Sequence, residues 1–310
     1  MNVLVTGGAG FIGSHIVSKL VSLDHNVFVI DNFHTGSKEN LRHDIDKIKI
    51  FEGNVGKVGD FNLPRIDTII HCGIYSSTPM YRKNPMLVSE VINDAIGLFE
   101  FAKNNNSKVV IASSSSIYNT LPLPWKEDMQ PLVTDLYTEA RLGVERLAKL
   151  YHDWYGLNVV ITRFFSVYGS REESKKNFAN NISQFIWNII KDTPPVIYGD
   201  GTQTRDFTFI DDTVRAVILA MNSDLKFEII NIGSGKSASF NEIIKIINNK
   251  LGKNVQPEYM ENPLKNYVYH TLADTNKAKE LLGFEAEFKL EDGIEKTIEY
   301  YKTLSNLPDV

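Results

Sequence analysis

The sequence predicts an α/β fold: a doubly wound parallel sheet followed by a smaller C-terminal α/β domain. Three observations predict it. Short apolar, β-branched runs recur at residues 3–5, 27–30, 47–51, 67–71, 109–112 and 159–162, the pattern of strands buried on both faces. Segments of helical spacing separate several of them, at 11–23, 86–105 and 136–155, and such alternation implies a parallel sheet. Beyond Arg163 the pattern loosens. Residues 1–165 are therefore expected to form the sheet domain, with returning segments near 206–232, and residues 166–310 to form most of the second.

The first unit is the most informative. After the strand at Val3, Leu4 and Val5, the glycines Gly7, Gly8, Gly10 and Gly13 crowd a tight turn. Ile12, Ile16, Leu20 and Leu23 then follow at helical spacing, and the second strand ends in Asp31. Strand, glycine turn, helix, strand and acid make a dinucleotide-binding unit. The glycines let backbone approach a diphosphate, and the last lets helix and strand pack closely. The N–H groups at the helix start, together with its dipole, face the phosphates. Asp31 is spaced to accept hydrogen bonds from the adenosine ribose. A carboxylate there repels a 2′-phosphate, so NAD is favoured over NADP.

The remaining elements follow in order. Asn32, Thr35 and Gly36 lie in the polar turn after the acid and are expected at the adenosine. The third strand leads into Gly53-Asn54-Val55, where Asn54 either meets the adenine edge or simply serves the turn. The fourth strand ends in His71, with Cys72 and Gly73 passing beside the cofactor, as the carboxyl ends of such sheets do. His71 and Cys72 read as packing residues. The fifth strand runs into Ser113, Ser114, Ser115 and Ser116 at the sheet edge, where a hydroxyl can meet a substrate. A proline-containing loop occupies 119–134. In the helix at 136–155, Tyr137 and Arg141 lie one turn apart on one face. Further helices are expected near 180–191, 211–221, 240–251 and 290–301, and a strand near 229–233.

Composition narrows the function. Of 310 residues 43% are hydrophobic and 23% charged, and the net charge of −5 argues against general nucleic-acid binding. Cys72 is the single cysteine, so neither an internal disulfide nor a cysteine-rich metal site is expected, and no metal is assigned. No apolar stretch has the length of a membrane span. With the first strand starting at once, no signal peptide is expected and the protein is placed in the cytoplasm.

The chain resembles the extended short-chain dehydrogenase/reductase family, with its Rossmann domain, and within it the NAD-dependent epimerase/dehydratases of nucleotide sugars. The residues that carry the resemblance are Thr6 to Gly13, Asp31-Asn32 with Thr35-Gly36, Ser113 to Tyr118, Tyr137 with its helix, Arg163 to Gly169, and Gly199 to Gly201 through Arg205 to Phe207. The resemblance implies a 4-epimerase working on UDP-glucose/UDP-galactose or a close relative, with Tyr137 as base, Ser114 as its hydroxyl partner and Arg141 in the place of the family's lysine. It implies NAD contacts at Ser113 and Phe165, and substrate contacts at Ser115, Ser166, Arg205 and Lys265. Arg205 would grip the substrate diphosphate; the alternative is an ion pair with Asp206. Lys265 would replace an arginine that falls near Leu264. A homodimer through the helices at 86–105 and 136–155 is also implied. The dehydratases place an aspartate and a glutamate where this chain has Ser115 and Ser116, which argues against dehydration. A nucleotide-sugar dehydrogenase/reductase and a non-catalytic NAD-binding sensor are the rival readings.

Overall fold

The computed structural model describes residues 1–262 and 267–310. A seven-stranded parallel sheet forms the centre: β1 (Asn2–Thr6), β2 (Asn26–Asp31), β3 (Ile48–Glu52), β4 (Thr68–His71), β5 (Lys108–Ser114), β6 (Val159–Phe164) and β7 (Phe227–Ile232). The order is β7-β6-β5-β4-β1-β2-β3, and every neighbouring pair is parallel. The order reverses between β1 and β4. The crevice outside the carboxyl ends of these two strands is where open sheets of this kind bind ligands.

The helices are α1 (Phe11–Ser22), α2 (Thr78–Lys83), α3 (Leu87–Asn105), α4 (Leu136–Tyr155), α5 (Asn181–Ile190), α6 (Ile210–Asn222), α7 (Phe240–Leu251), α8 (Asn276–Leu282) and α9 (Leu290–Lys302). Successive strand residues face opposite sides of the sheet, and the core divides accordingly. Leu4, Ile69, Val109 and Ile161 pack with Leu98 and Phe99 of α3 and Ala140 and Val144 of α4. Val3, Val5, Ile70 and Val110 pack with Ile16 and Val17 of α1 and Val214 and Val217 of α6. The second cluster continues into Phe185, Ile243, Ile298 and Tyr301. The C-terminal half is thus built onto one face of the sheet by a shared core.

Two local features place the site. Helix α4 opens with a capping box in which Asp135 accepts from the Thr138 N–H at 2.8 Å. It ends at Gly156, whose φ of 70° suits a residue without Cβ. The cap fixes the first turn, and with it Tyr137. Helices α2 and α8, of six and seven residues, were not expected; segments so short show no readable period.

Candidate active site

The glycine turn is tight for a physical reason. Gly7 has φ of +66°, and a Cβ there would stand 2.7 Å from the Cys72–Gly73 backbone. A Cβ on Gly13 would lie 2.1 Å from the Gly7 carbonyl oxygen. Helix α1 starts after Gly10 with no capping side chain and no acid in its first turn. The N–H groups of Phe11, Ile12 and Gly13 therefore open onto a cleft of about 500 Å³ that all three residues line. An uncapped helix start beside a backbone-only cradle fits a dinucleotide diphosphate.

Asp31 is fixed at the end of β2 by two backbone donors, Ala9 N–H and Phe33 N–H, each at 2.8 Å. Burial raises its pKa, and these donors oppose the rise. A carboxylate offers about four lone-pair positions, so acceptor capacity remains for ribose hydroxyls. Asn32, Thr35, Gly36, Val55, Cys72 and Gly73 line the same cleft. Asn54 does not; it is exposed, and its amide oxygen takes a hydrogen bond from Asn32 at 3.3 Å. Burial pushes the Cys72 thiol up to about 12, far from a reactive thiolate. Burial likewise lowers His71 to about 3, and its Nδ1 lies 2.7 Å from Thr6 Oγ1. Both suit packing roles.

Ser114, Tyr137 and Arg141 all line this cleft. Ser114 closes β5, and its hydroxyl oxygen accepts from Ser116 N–H at 3.2 Å, so its own proton can still be donated. The Tyr137 hydroxyl makes no hydrogen bond among the described residues. Its ring is buried against Tyr81, 5.6 Å away, and under the Arg141 guanidinium, 5.1 Å from the ring centroid. Arg141 donates Nη1–H to the Ala112 carbonyl at 2.7 Å and Nη2–H to the Tyr75 carbonyl at 3.1 Å. Its buried Nε–H has no partner. The arginine thus holds a positive charge on the face of the candidate base and keeps one donor uncommitted.

Ser115, Ser166 and Arg205 also line the cleft. The rings of Phe240 and Tyr267 flank the Arg205 guanidinium at 5.5 and 5.4 Å. It donates to the carbonyls of Thr204 (2.9 Å), Tyr269 (3.0 Å) and Val268. The alternative Arg205–Asp206 ion pair is not formed. Asp206 accepts instead from the N–H groups of Ser234, Gly235 and Ala273 and from the Ser234 hydroxyl. Lys265 and Leu264 lie outside the described residues.

One assignment is corrected. Phe165 does not line the cleft; it is fully buried in a separate cluster with Ile117, Tyr118 and Trp125. Phe164 lines the cleft in its place, because consecutive residues at the end of β6 face opposite ways. Ser113 does line the cleft, but its hydroxyl is committed to Glu145 at 2.6 Å. Tyr75, Asp94, Asn119, Lys175 and Asn180 also line it and were not identified from the sequence, being scattered over loops and the interior of α3 without a shared motif.

A buried network under the serine turn was missed as well. Glu145, two turns along α4 from Tyr137, takes Arg163 Nε–H at 3.1 Å in addition to Ser113. Arg163 also donates to the Tyr118 hydroxyl, which donates to Asn231 Oδ1 at 2.9 Å. Glu145 and Arg163 are each 3% exposed at the side chain. Removing one member of such a pair strands the other charge. Arg163→Ala is therefore expected to lower stability by about 3–5 kcal/mol, read as a shift of the urea midpoint. A loss below about 1 kcal/mol would show that the pair behaves as an exposed one.

Comparison with known proteins agrees with this geometry. The NAD dependent epimerase/dehydratase family matches residues 3–233. The UDP-glucuronate 4-epimerase of Thermodesulfobacterium geofontis is 34% identical over 316 residues, covering 96% of this chain and 95% of the relative. The structure of UDP-glucose 4-epimerase from Thermotoga maritima, solved with UDP-glucose, superposes with a TM-score of 0.92 at 29% identity, covering 98% of this chain and 99% of that one. The UDP-N-acetylglucosamine 4-epimerase of Methanobrevibacter ruminantium, solved with UDP-N-acetylmuramic acid, gives 0.90 at 33% identity, covering 97% and 98%. On that match over residues 3–233, this chain belongs to the NAD dependent epimerase/dehydratase family.

Proposed function

We propose that the protein is a UDP-sugar 4-epimerase, acting on UDP-glucose/UDP-galactose or a close relative. The observation that carries this is that Tyr137, with Arg141 over its ring, and Ser114 line the same cleft that the glycine turn opens onto. Three similar proteins are named for three different sugars, but all are UDP-sugar 4-epimerases. The shared chemistry, rather than one sugar, is what they support.

Gly7, Gly10 to Gly13 and Asp31 would hold the diphosphate and ribose of NAD, with Gly73 and Val55 beside them. When bound, NAD would supply a reversible hydride acceptor for C4 of the sugar. The protein's own part is proton handling and orientation. Tyr137 takes the proton of the sugar 4-hydroxyl, Ser114 hydrogen-bonds the same oxygen, and the Arg141 guanidinium holds the Tyr137 ring in place. Arg205 holds the substrate diphosphate while the 4-keto sugar turns over, a task suited to its planar fork. Residues 1–165, with the return near 206–232, serve the cofactor, and residues 166–310 mostly serve the sugar nucleotide.

Dehydration is disfavoured by the same cleft. Ser115 and Ser116 line it where an acid pair would be needed. The acids among its described lining residues are Asp31, Asp94 and Asp135. Asp31 is held by Ala9 and Phe33, Asp94 by Gly56 N–H, and Asp135 caps α4. We place the enzyme in the cytoplasm, since its single cysteine needs no oxidising compartment. We also expect a homodimer through α3 and α4, supported by exposed Ile96, Leu150 and Trp154 on those helices.

The test is interconversion by the purified protein with added NAD. It is offered UDP-glucose, UDP-galactose, their N-acetyl forms and UDP-glucuronate, and products are separated chromatographically. The expected result is a C4 epimer of at least one sugar without net NADH. Stoichiometric NADH would make it a dehydrogenase, and NAD binding without conversion of any sugar would remove the epimerase reading for these substrates.

A further inference from the structure

Residues 170–180 cross back from the second half of the chain over the first. His15 Nε2 lies 3.1 Å from the Ser170 carbonyl oxygen. Arg171 donates to the Ser14 carbonyl and the Ser18 hydroxyl, both at 3.1 Å. Ser174 donates its hydroxyl to the Thr35 carbonyl at 2.8 Å. The segment is therefore tied to α1 on one side and to the loop after β2 on the other. Those are the two walls between which the cofactor diphosphate is expected.

Lys175 sits between the ties. It lines the cleft, and its ammonium stands 5.4 Å from the ring centroid of Phe11, the first residue of α1. It is aimed by Glu172, whose Oε1 accepts from it at 2.9 Å. Glu172 is fully buried and is itself fixed by the Asn180 N–H at 3.1 Å and the Ser183 hydroxyl at 2.6 Å. The described cations lining the cleft are Arg82, Arg141, Lys175 and Arg205. Of these, Arg205 is assigned above to the substrate diphosphate and Arg141 lies over the Tyr137 ring, whereas Lys175 stands by the first residue of α1 and gives one of its three ammonium donors to Glu172.

We propose that Lys175 binds the diphosphate of the dinucleotide cofactor, closing over it from the second half of the chain; this rests on the NAD reading of the cleft. A helix start that already favours an anion gains a cation from the opposite side. The cofactor is then shut in by a segment whose Ser174 also grips the ribose loop. An epimerase must retain its reduced cofactor while the keto sugar turns over, and this strap supplies that retention. The competing role for Lys175 is only to neutralise buried Glu172.

Fragments of the cofactor separate the two roles. Full-length wild type, Lys175→Met and Lys175→Arg are titrated calorimetrically with ADP-ribose and with adenosine. Lys175→Met is expected to weaken ADP-ribose binding by about tenfold or more, the scale of a lost charge-assisted hydrogen bond, and to leave adenosine binding within about twofold. Lys175→Arg is expected to recover most of the loss, and NADH release from Lys175→Met should quicken in step. Unchanged ADP-ribose affinity in Lys175→Met would overturn the proposal, as would an equal weakening of both fragments. Failure of the wild type to bind ADP-ribose would instead remove the NAD reading, and the proposal with it. If Lys175→Met does not fold, Glu172→Gln/Lys175→Met removes the stranded charge and is read the same way.

Discussion

Tyr137→Phe is expected to lower kcat by about 10²–10⁴-fold, the range for losing a positioned general base, while NAD still binds. The structure makes this a clean substitution. The Tyr137 hydroxyl has no hydrogen bond to lose among the described residues, and what holds the ring is Tyr81 and the Arg141 guanidinium. Phenylalanine keeps both contacts. Its melting temperature should therefore match the wild type, since a change that removes no packing or buried bond usually stays within about 0.5 kcal/mol. Steady-state turnover on whichever UDP-sugar the wild type converts, together with NADH fluorescence for cofactor binding, reads the two effects separately. Undiminished turnover in the folded, NAD-bound variant would take Tyr137 out of the mechanism. Lost NAD binding would mean that the hydroxyl serves the cofactor rather than the sugar.

What the sequence made legible is what short-range physics determines. The β1–α1–β2 unit needs glycines at fixed positions because a Cβ on Gly7 or Gly13 would collide with backbone, and so it shows as a motif. The buried strands show as β-branched runs, and α4, α7 and α9 start where the sequence places them because amphipathic spacing marks all three and capping boxes mark the first two. The same physics explains the failures. Segment 166–179 contains Ser166, Arg171 and Lys176 at φ of 29°, 66° and 48°, so no period runs through it and Lys175 carried no signal. Glu145 and Arg163 are 18 positions apart on a helix and a strand; only the folded chain makes them partners. The Phe164/Phe165 error is one residue of phase at a strand end, enough to send the wrong ring into the cleft.

Arg141→Lys is the second large effect, and here the structure decides a question the sequence left open. If arginine were only a handicapped lysine, restoring the family residue would preserve or improve the rate. The guanidinium, however, spans two backbone carbonyls: Ala112 within β5 and Tyr75 in the loop after β4. It also lies over the Tyr137 ring. A lysine ammonium is a compact point charge that cannot reproduce a planar fork joining a strand and a loop. One carbonyl loses its arginine donor, and if it is that of Tyr75, which keeps the Tyr81 hydroxyl at 3.2 Å, the loop loses its tie to α4. Arg141→Lys is therefore expected to lower kcat by about tenfold or more, the equivalent of roughly 1.4 kcal/mol. NAD affinity should fall with it, because the Tyr75 loop lines the same cleft. A paired Arg141→Met variant should lose more, since it also removes the cation that lies over the Tyr137 ring. Turnover in Arg141→Lys equal to or above wild type would show that the two carbonyl contacts are incidental and that charge alone is what Tyr137 requires.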